Sequence, residues 1–338
     1  MNKPHDPSIS HQHDETIGES MKTNTIAITG AAGYFAQCLI PRLERDANIE
    51  RIIAIDRQEP ARLDEWDKVI FHKMDIRDPE LGHLLKGVDI LVHLAFVLMK
   101  LPGAKDIDDI NIAGSRNVLS LAAAAGIPKI VFTSSVVAYG IREDNPVPLR
   151  EEHPLRPNTD LYYSRNKAAV ESVLHTIASE NPSMQVTILR PCTVVGAHAD
   201  PASMASLTSK TITLVRGFNP LYQLVHENDV ASALHLAIKR DMPGTFNVCS
   251  DEPRTLADLA EAAGKRTMAL PLALVKPMFQ LLWSLKATVF APEWVKLTQF
   301  PIVASNEKLK TSGWKPEFTT TEAFLDLQKA FTDEGSIT

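Results

Sequence analysis

The stretch Thr25-Ile26-Ala27-Ile28-Thr29-Gly30-Ala31-Ala32-Gly33-Tyr34-Phe35-Ala36 decides the fold of this chain. Its first five residues predict a buried strand, and a helical pattern of apolar residues begins at Gln37. Gly30 permits a tight turn between strand and helix, and Gly33 lets a ligand approach the backbone closely. The helix presents its positive end at this turn, so the stretch predicts a site for the diphosphate of a dinucleotide. Ala36 takes the place of the third glycine that such loops usually carry.

Outward from this loop, short β-rich runs alternate with longer amphipathic stretches as far as Leu189. That alternation predicts βαβ units on a parallel sheet. The predicted strands are Thr25–Thr29, Arg51–Ile55, Val69–Met74, Ile90–Leu94, Ile130–Thr133 and Val186–Leu189, and the crossover helices include Asp106–Ala125 and Leu161–Ala178. The predicted fold class is therefore α/β, a Rossmann doubly wound parallel sheet.

The alternation of strand and helix patterns ends after Gly196, and helical patterns dominate from there on. The predicted helices are Pro201–Arg216, Asn228–Lys239, Thr255–Ala263 and Met268–Val289, and the predicted short strands are Tyr222–Val225 and Thr245–Val248. We expect a disordered tail over 1–22, a dinucleotide-binding domain over 23–195, a smaller, mostly helical substrate-binding cap over 196–325 and a C-terminal tail over 326–338. Elements near 225–250 could rejoin the first domain.

Composition excludes several classes of protein. A formal net charge of −6 over 338 residues leaves no basic excess for binding nucleic acid. Three scattered cysteines, Cys38, Cys192 and Cys249, fit reduced thiols better than disulfides or a metal site, which predicts a cytoplasmic protein without a metal. Histidines in the polar N-terminal stretch fit a solvated tail, and that stretch is neither a signal peptide nor an anchor.

The apolar stretch Leu270–Val289 has three interpretations. It could be ordinary core, line an apolar pocket, or lie against a membrane or a partner. We expect core. Lys276 and Pro277 interrupt the stretch, so we expect no membrane span.

Asp56 ends the second predicted strand about 20 residues beyond the glycine loop, where a carboxylate accepts hydrogen bonds from the hydroxyls of the adenosine ribose. A carboxylate there repels a 2′-phosphate, which favours NAD over NADP. Arg57 follows directly, and its cation leaves NADP as a possible cofactor.

Tyr163 and Lys167 stand four residues apart on a predicted helix, so their side chains project from one face. A nearby ammonium is expected to lower the pKa of the phenol and make it usable for proton transfer near neutral pH. Ser134 and Ser135 end the fifth predicted strand, at the sheet edge where this chemistry would take place.

These motifs, taken in order, resemble the extended short-chain dehydrogenase/reductases, also called NAD-dependent epimerase/dehydratases. The resemblance covers about Thr25 to Gly313 and also includes Asp75, His93-Leu94-Ala95, the segment from Asn111 to Leu119, and Arg190-Pro191. It implies catalytic roles for Ser135, Tyr163, Lys167 and Asn111. Ser135 would bind the reacting oxygen, Tyr163 would exchange its proton, Lys167 would bind the nicotinamide ribose, and Asn111 would support a relay water.

The same resemblance, together with the glycine loop, implies a set of cofactor contacts. They are Gly30, Ala32, Gly33, Tyr34, Phe35, Asp56, Arg57, Asp75, Ile76, Leu94, Ala95, Thr133, Tyr163, Lys167 and Pro191. The family signature from Val225 to Ala231 is read as structural, with Asn228 or Asp229 capping a helix.

Departures from the family patterns separate the candidate reactions. Sugar-nucleotide dehydratases carry an Asp-Glu pair where this chain has Val136-Val137. UDP-galactose-type epimerases carry an asparagine at the position of Thr193 and an arginine near Tyr222, for which Arg216 could substitute. We therefore expect an NAD-dependent oxidoreductase acting on a secondary alcohol or ketone of low polarity. The alternatives are an epimerase of a nucleotide sugar that retains NAD, and a non-catalytic NAD-binding sensor or scaffold. The apolar helix Ser164–Leu174 could form a homodimer.

Overall fold

The computed structural model describes residues 24–99 and 107–333 of the chain. The strands, in chain order, are β1 (Asn24–Thr29), β2 (Ile49–Asp56), β3 (Val69–Lys73), β4 (Ile90–His93), β5 (Lys129–Thr133), β6 (Gln185–Pro191), β7 (Thr193–Val195), β8 (Thr211–Val215), β9 (Leu221–Tyr222), β10 (Leu224–His226), β11 (Gly244–Val248), β12 (Arg254–Thr255) and β13 (Arg266–Leu270). The helices are α1 (Tyr34–Glu44), α2 (Leu81–Leu84), α3 (Ser115–Ala124), α4 (Tyr162–Glu180), α5 (Pro201–Thr208), α6 (Glu227–Lys239), α7 (Leu256–Ala262), α8 (Leu272–Ser284), α9 (Glu307–Thr311) and α10 (Thr320–Asp333). Short 3-10 turns cover Leu63–Glu65, Val136–Tyr139 and Pro292–Thr298, and a π-helical turn, Asp109–Gly114, leads into α3.

The central sheet is parallel and has the strand order β11-β6-β5-β4-β1-β2-β3. All six strands predicted for the first half of the chain lie in it, so this part of the prediction is confirmed. β1 is flanked by β2 and β4, and the order of addition reverses there. In a doubly wound sheet such a reversal opens a crevice at the carboxyl ends of the strands, which is where ligands bind.

Apolar side chains cover both faces of the sheet, as expected for parallel strands. On β1, Ile26 and Ile28 pack on the side of α1 and α6, whereas Ala27 packs on the side of α3 and α4. Leu39 of α1 is fully buried on the first side and Val170 of α4 on the second. The doubly wound arrangement is therefore confirmed.

Residues 196–325, predicted as the cap, contribute elements both to the sheet and to a region beside it, for which the name cap is kept. β11 joins β6 at the end of the sheet, which confirms the predicted strand at 245–248. β7 and β10 form a separate parallel pair that leads away from the sheet. Beside this pair the cap buries a small core of its own, in which Leu224, Phe324 and Leu327 are fully buried.

Two predicted helices of the cap are wrong in part. The helix predicted over 201–216 ends at Thr208, and the following Thr211–Val215 is strand β8, paired in parallel with β13. The helix predicted from residue 268 accordingly begins only at Leu272. Alternating threonine with branched apolar residues favours a strand, and its partner lies too far along the chain for a local pattern to reveal it.

The C-terminal boundary and one helix cap also differ from prediction. Helix α10 continues through the predicted boundary at 325 to Asp333, because Phe324 and Leu327 anchor it in the cap core. Residues 1–22 and 334–338, where tails are predicted, lie outside the described residues. Helix α6 is capped by the His226 side chain rather than by Asn228 or Asp229. The Asp229 carboxylate instead accepts the backbone N–H groups of Glu317 and Phe318 and so ties α6 to the segment before α10.

Residues 270–289 are expected to be part of the hydrophobic core, and in α8 this is true of one side only. Val275 is buried against Val215 and Val295, whereas Leu274 and Leu281 are each 58% exposed. Among the described residues, no helix is long and apolar enough to cross a membrane.

Candidate functional site

The loop between β1 and α1 is closed by two glycines that no other residue could replace without movement. Gly30 has a φ of +76°, and a Cβ atom there would lie 2.5 Å from the backbone nitrogen of Ala95. A Cβ atom on Gly33 would lie 3.0 Å from the carbonyl oxygen of Gly30. Gly33 is also the N-cap of α1 and has no side chain with which to occupy the first N–H groups of the helix. Those donors are available to an anion.

Asp56 lies against this loop, at the carboxyl end of β2. Its carboxylate accepts hydrogen bonds from the backbone N–H groups of Ala32 at 3.0 Å and Gln58 at 3.1 Å. The predicted carboxylate and the glycine loop are therefore neighbours, although they come from different strands. The side chain of Arg57 is 67% exposed and has its Nε atom 3.8 Å from the carboxylate of Asp75.

Asp75 and Ile76 follow β3 and form the next part of this edge. Arg77 binds both carboxylate oxygens of Asp75, at 3.0 and 2.8 Å, and lowers the pKa of Asp75 to about 2. Ile76 is buried against the backbone of Gly114, where a Cβ atom would lie 2.7 Å from the Ile76 Cδ1 atom. The carboxylate is therefore held ionised and fixed in place.

Tyr34 and Phe35 contribute to this loop chiefly through their backbone. Their rings stack on each other with centroids 5.5 Å apart, Tyr34 packing against the cap core and Phe35 against the sheet core. Burial and the nearby Glu227 carboxylate raise the pKa of Tyr34. The side chains of both residues are thus committed to packing.

One group of side chains near this loop has the chemistry of metal ligands. The ligand atoms of Cys38, His198 and Glu227 lie within 4.8 Å of one another. Glu227 is buried, but its carboxylate already accepts hydrogen bonds from the backbone N–H of His198 at 3.1 Å and pairs with its ring Nδ1 at 2.6 Å. These bonds account for its burial without an ion.

The structure brings Ser135 and Tyr163 together at the carboxyl edge of the sheet. Ser135 follows β5, and its Oγ accepts from the N–H of Val137 at 3.2 Å and donates weakly to the carbonyl of Pro191 at 3.4 Å. Tyr163 lies in the first turn of α4. Burial raises the pKa of Tyr163 above its usual value of 10, and a hydrogen bond with the Ser135 hydroxyl lowers it in part.

Lys167 is fixed below Tyr163 on the same face of α4. Its ammonium donates to the Thr133 carbonyl oxygen at 2.7 Å and lies 3.6 Å from the centroid of the Phe96 ring. Burial lowers the pKa of Lys167 to about 7. The expectation that this ammonium lowers the pKa of Tyr163 is therefore not met in the chain itself, because burial dominates the titration of both groups.

Asn111 supports the site from the π-helical turn. Its fully buried amide accepts from the N–H of Val97 at 2.8 Å and donates to the Val97 carbonyl at 3.0 Å. This pair of bonds holds the segment that follows Leu94 and Ala95 and carries Phe96. The side chain thus positions the edge of the site, and its support of a relay water remains a prediction.

The aromatic walls of the site had no signal in the sequence. The Phe96 ring meets Tyr163 edge to face at 5.6 Å, and the Trp294 ring lies at the same distance, tilted by 39°. Trp294 comes from the 3-10 turn of the cap, and its buried indole N–H has no hydrogen-bond partner among the described residues. An unpaired donor beside the candidate proton donor is available to a substrate.

A buried ion pair under the site was also missed. Glu171 lies one turn beyond Lys167, is fully buried and binds the guanidinium of Arg190 at 3.0 and 2.5 Å. Ser134 donates to the same carboxylate at 2.5 Å. The spacing of Lys167 and Glu171 on one helix face was visible in the sequence, but the approach of Arg190 depends on the fold.

The crevice fits a nicotinamide dinucleotide. Gly30 and Gly33 leave room for a diphosphate at the start of α1, and Asp56 beside Ala32 offers a carboxylate for a ribose diol. At the far end, the buried Thr133 hydroxyl has no hydrogen-bond partner among the described residues, next to the Lys167 ammonium. The predicted contacts at both ends therefore lie along one edge of the sheet.

A family model for the NAD dependent epimerase/dehydratase family matches residues 26–249, which include both the glycine loop and Tyr163. The chain belongs to this family. The resemblance seen in the sequence is confirmed, and the family is one of enzymes of the extended short-chain dehydrogenase/reductase type.

Individual relatives span most of the chain at modest identity. The chain is 29% identical to sterol demethylase protein B of Methylococcus capsulatus over 247 residues, which cover 70% of this chain and 73% of the relative. It is 28% identical to the UDP-glucose 4-epimerase of Vibrio cholerae over 338 residues, covering 93% and 97%. The solved UDP-glucose 4-epimerase of Thermotoga maritima superimposes with a TM-score of 0.72 at 20% identity, covering 92% and 99%, and this likeness shows the shared fold.

Proposed function

We propose that this protein is an NAD-dependent oxidoreductase that interconverts a secondary alcohol and a ketone of low polarity. The observation that carries the proposal is the meeting of the Ser135 and Tyr163 hydroxyls at the sheet edge that also carries the Gly30 loop. A sensor or scaffold has no need of this arrangement, which argues against the non-catalytic alternative.

The chain's own residues handle the proton and the orientation of the substrate. A bound nicotinamide would supply or accept the hydride. Ser135 would donate a hydrogen bond to the carbonyl oxygen, and the Tyr163 phenol would deliver its proton to the same oxygen. Since burial raises the pKa of Tyr163, the phenol is held protonated and is ready to act as the acid in ketone reduction.

Lys167 would hold the nicotinamide ribose. Its ammonium has three protons, and one is used by the Thr133 carbonyl, so two are left for ribose hydroxyls. Gly30, Gly33 and the start of α1 would hold the diphosphate, and Asp56 the adenosine ribose. The carboxylate at 56 favours NAD, and the exposed Arg57 leaves NADP as the second choice.

The walls of the site support a substrate of low polarity. Tyr163 packs in one cluster with Val97, Ile107, Tyr162, Trp283, Ala291 and Trp294. A nucleotide sugar would need polar and charged partners in this place. We propose that residues 196–325, apart from the elements that rejoin the sheet, form the substrate-binding cap, and that the free cysteines reflect a cytoplasmic location. A homodimer through α4, seen as an option in the sequence, remains part of the proposal.

A Tyr163→Phe variant tests the assignment of the acid. We expect kcat to fall about 10²- to 10⁴-fold, because the proton donor is lost while the shape of the ring is kept. NAD affinity, measured by calorimetry, should stay within about threefold, since a cofactor held along the sheet edge keeps its charged contacts. Tyr162→Phe is the matched control, because its hydroxyl bonds the Leu98 carbonyl instead. Turnover by Tyr163→Phe at the normal rate would contradict the proposal.

A second reaction, epimerisation with NAD retained, is favoured by the family match and by the Vibrio cholerae relative. The two reactions differ in the fate of the reduced cofactor. A dehydrogenase releases NADH, whose absorbance accumulates in proportion to product, whereas an epimerase converts its substrate with no net NADH. A panel of sterol-like alcohols, their ketones and nucleotide sugars, each assayed for both signals, distinguishes them.

A further inference from the structure

Helix α8 carries apolar side chains both on the side that faces the protein and on a side that is exposed. Val275 and Phe279 face inward and pack with Val215, Val295 and Phe218. The other side remains exposed to solvent: the exposed fractions are 58% for Leu274, 58% for Leu281, 37% for Leu282 and 67% for Leu285. These four residues follow one helical stripe, at i, i+7, i+8 and i+11. We call them the outer face of α8.

An exposed apolar stripe of this kind needs a partner. Strand β13, which precedes α8 in the chain, also carries an exposed apolar side chain, since Met268 is 47% exposed. The described part of the chain covers only the inner side of α8.

The charges in the segment that contains α8 indicate the kind of partner. Residues 264–292 contain Lys265, Arg266, Lys276 and Lys286 and no aspartate or glutamate, although the whole chain has a net charge of −6. Arg266, Lys276 and Lys286 are exposed, and they lie before, within and directly after the helix. An exposed apolar face on a segment that is basic along its length complements a surface with anionic head groups above an apolar layer.

The same charges disfavour a second copy of this chain. A two-fold interface places each patch against itself, so the outer faces would bring their own cations together with no acidic residue from this segment to pair with them. The helix has 13 residues, too few to span a bilayer, which leaves a helix lying in the surface plane.

The position of α8 links this surface to the candidate site. Trp283 of α8 packs in the same cluster as Tyr163 and Trp294. One helix therefore reaches the cluster that also contains the candidate proton donor, and presents the outer face to the exterior.

We propose that the outer face of α8 and its flanking cations dock on an anionic lipid bilayer. The docked helix places the cluster that contains Tyr163 near the membrane surface, where an alcohol or ketone dissolved in the lipid reaches the site. The docking proposal is argued from the surface of α8 alone. Only the delivery of a substrate dissolved in the lipid rests on the proposed function.

Cosedimentation of the full chain with vesicles tests the docking. Vesicles of phosphatidylcholine with about 30% phosphatidylglycerol are compared with pure phosphatidylcholine vesicles. We expect binding to the anionic vesicles only, weakened at 0.5 M salt because screening shortens the reach of the cations. Lys276→Gln/Lys286→Gln should weaken binding about 25-fold, at about fivefold for each cation near an anionic surface. Leu281→Gln/Leu285→Gln should weaken it at least tenfold.

Matched controls keep the test specific. Ile70→Gln/Val147→Gln removes two apolar side chains elsewhere that are about half exposed, and Lys86→Gln removes an exposed lysine far from α8 along the chain. Both should bind vesicles like the unaltered chain. Unchanged circular dichroism and NAD affinity show that each variant is folded.

Three results overturn the proposal. The first is a folded, NAD-binding protein that does not sediment with anionic vesicles. The second is binding that the α8 variants leave unchanged. The third is a dimer in analytical ultracentrifugation that Leu281→Gln/Leu285→Gln dissociates without any vesicle binding, which would assign the outer face to a second copy. None of these measurements uses turnover, so failure of the docking and failure of the oxidoreductase proposal can be told apart.

Discussion

Asp56 is the residue through which the chain is expected to discriminate between cofactors. Its carboxylate holds the Ala32 backbone N–H and faces the place proposed for the adenosine ribose. We expect Asp56→Ala to weaken NAD binding about 10- to 150-fold, since a hydrogen bond to a charged group contributes about 1.5–3 kcal/mol. NADP binding should change little or improve, because the repulsion of its 2′-phosphate is removed. Calorimetry with both cofactors measures the ratio.

The exposed Arg57 provides the matched control for this prediction. Arg57→Ala should leave NAD affinity intact and weaken NADP only, because a 2′-phosphate would lose its cation. If Asp56→Ala leaves the ratio of NAD to NADP affinity unchanged, the carboxylate does not set the preference.

A comparison of Gly30 with Gly87 distinguishes the cost of backbone strain from the cost of a steric clash. Both have positive φ, +76° and +74°, but a Cβ atom on Gly30 would meet the backbone of Ala95, whereas one on Gly87 would have no atom within 4 Å among the described residues. Gly87→Ala should therefore cost only the left-handed backbone penalty, about 1–2 kcal/mol. Gly30→Ala should cost clearly more and should also abolish NAD binding. Urea unfolding and calorimetry of the two variants check this, and equal losses of stability would show that the Ala95 contact is relieved without cost.

At the scale of elements, the buried pair Glu171–Arg190 fixes helix α4 on strand β6. Since α4 also carries Tyr163 and Lys167, the pair sets the height of both side chains above the sheet. Glu171→Gln should lower the free energy of unfolding by about 3–5 kcal/mol, because it leaves a buried guanidinium without its counter-charge. The double variant Glu171→Leu/Arg190→Met should recover much of that loss.

Helix α4 also offers a control pair at its surface. Arg165 binds Asp108 with the two side chains 40% and 51% exposed, so Arg165→Gln should cost under about 1 kcal/mol. Urea unfolding of these variants measures all three effects. A loss of less than about 1 kcal/mol in Glu171→Gln would show that the buried pair does not anchor α4.

The sequence could predict those elements whose pattern is local. The turn at Gly30 and Gly33, the six parallel strands and the four-residue spacing of Tyr163 and Lys167 follow from short-range periodicity and glycine geometry, and the structure contains all of them. It could not predict the pairing of β8 with β13, because a parallel pair is formed between distant segments. The same limit applies to the site: Trp294 reaches Tyr163 from the cap, and the burial that it helps to create raises a pKa that the helix spacing alone would lower.

At the scale of the whole molecule, stability should depend on pH through Lys167. Burial lowers its pKa to about 7 in the folded chain, against an ordinary value of 10.5. Between these values the unfolded chain binds a proton that the folded chain does not, so this group makes the free energy of unfolding rise with pH, starting near pH 7. Below pH 7 both states carry the proton, and the cost of burying the ammonium is then present in full.

Other buried groups titrate mostly outside the window from pH 7 to 8.5. His93, whose pKa burial lowers to about 3, changes stability only below its ordinary value of 6.5. Cys38, whose pKa burial raises to about 12, acts mainly above its ordinary value of 9. Lys129 and Lys265 have pKa values lowered by burial and so act in the same direction as Lys167. Comparison with a variant that lacks only the Lys167 ammonium removes these shared contributions.

Lys167→Met should therefore flatten the pH dependence of global stability. From pH 7 to 8.5 the unaltered chain should gain about 1–2 kcal/mol more than the variant, because over this range the folded state releases the Lys167 proton while the unfolded state keeps it. Urea unfolding at three or four pH values without cofactor measures the difference, and Lys86→Met, at an exposed position, should follow the unaltered chain. Parallel curves for Lys167→Met and the unaltered chain would mean that Lys167 keeps its proton in the folded state throughout this range. The ammonium would then be stabilised by the Thr133 carbonyl and the Phe96 ring more strongly than burial destabilises it.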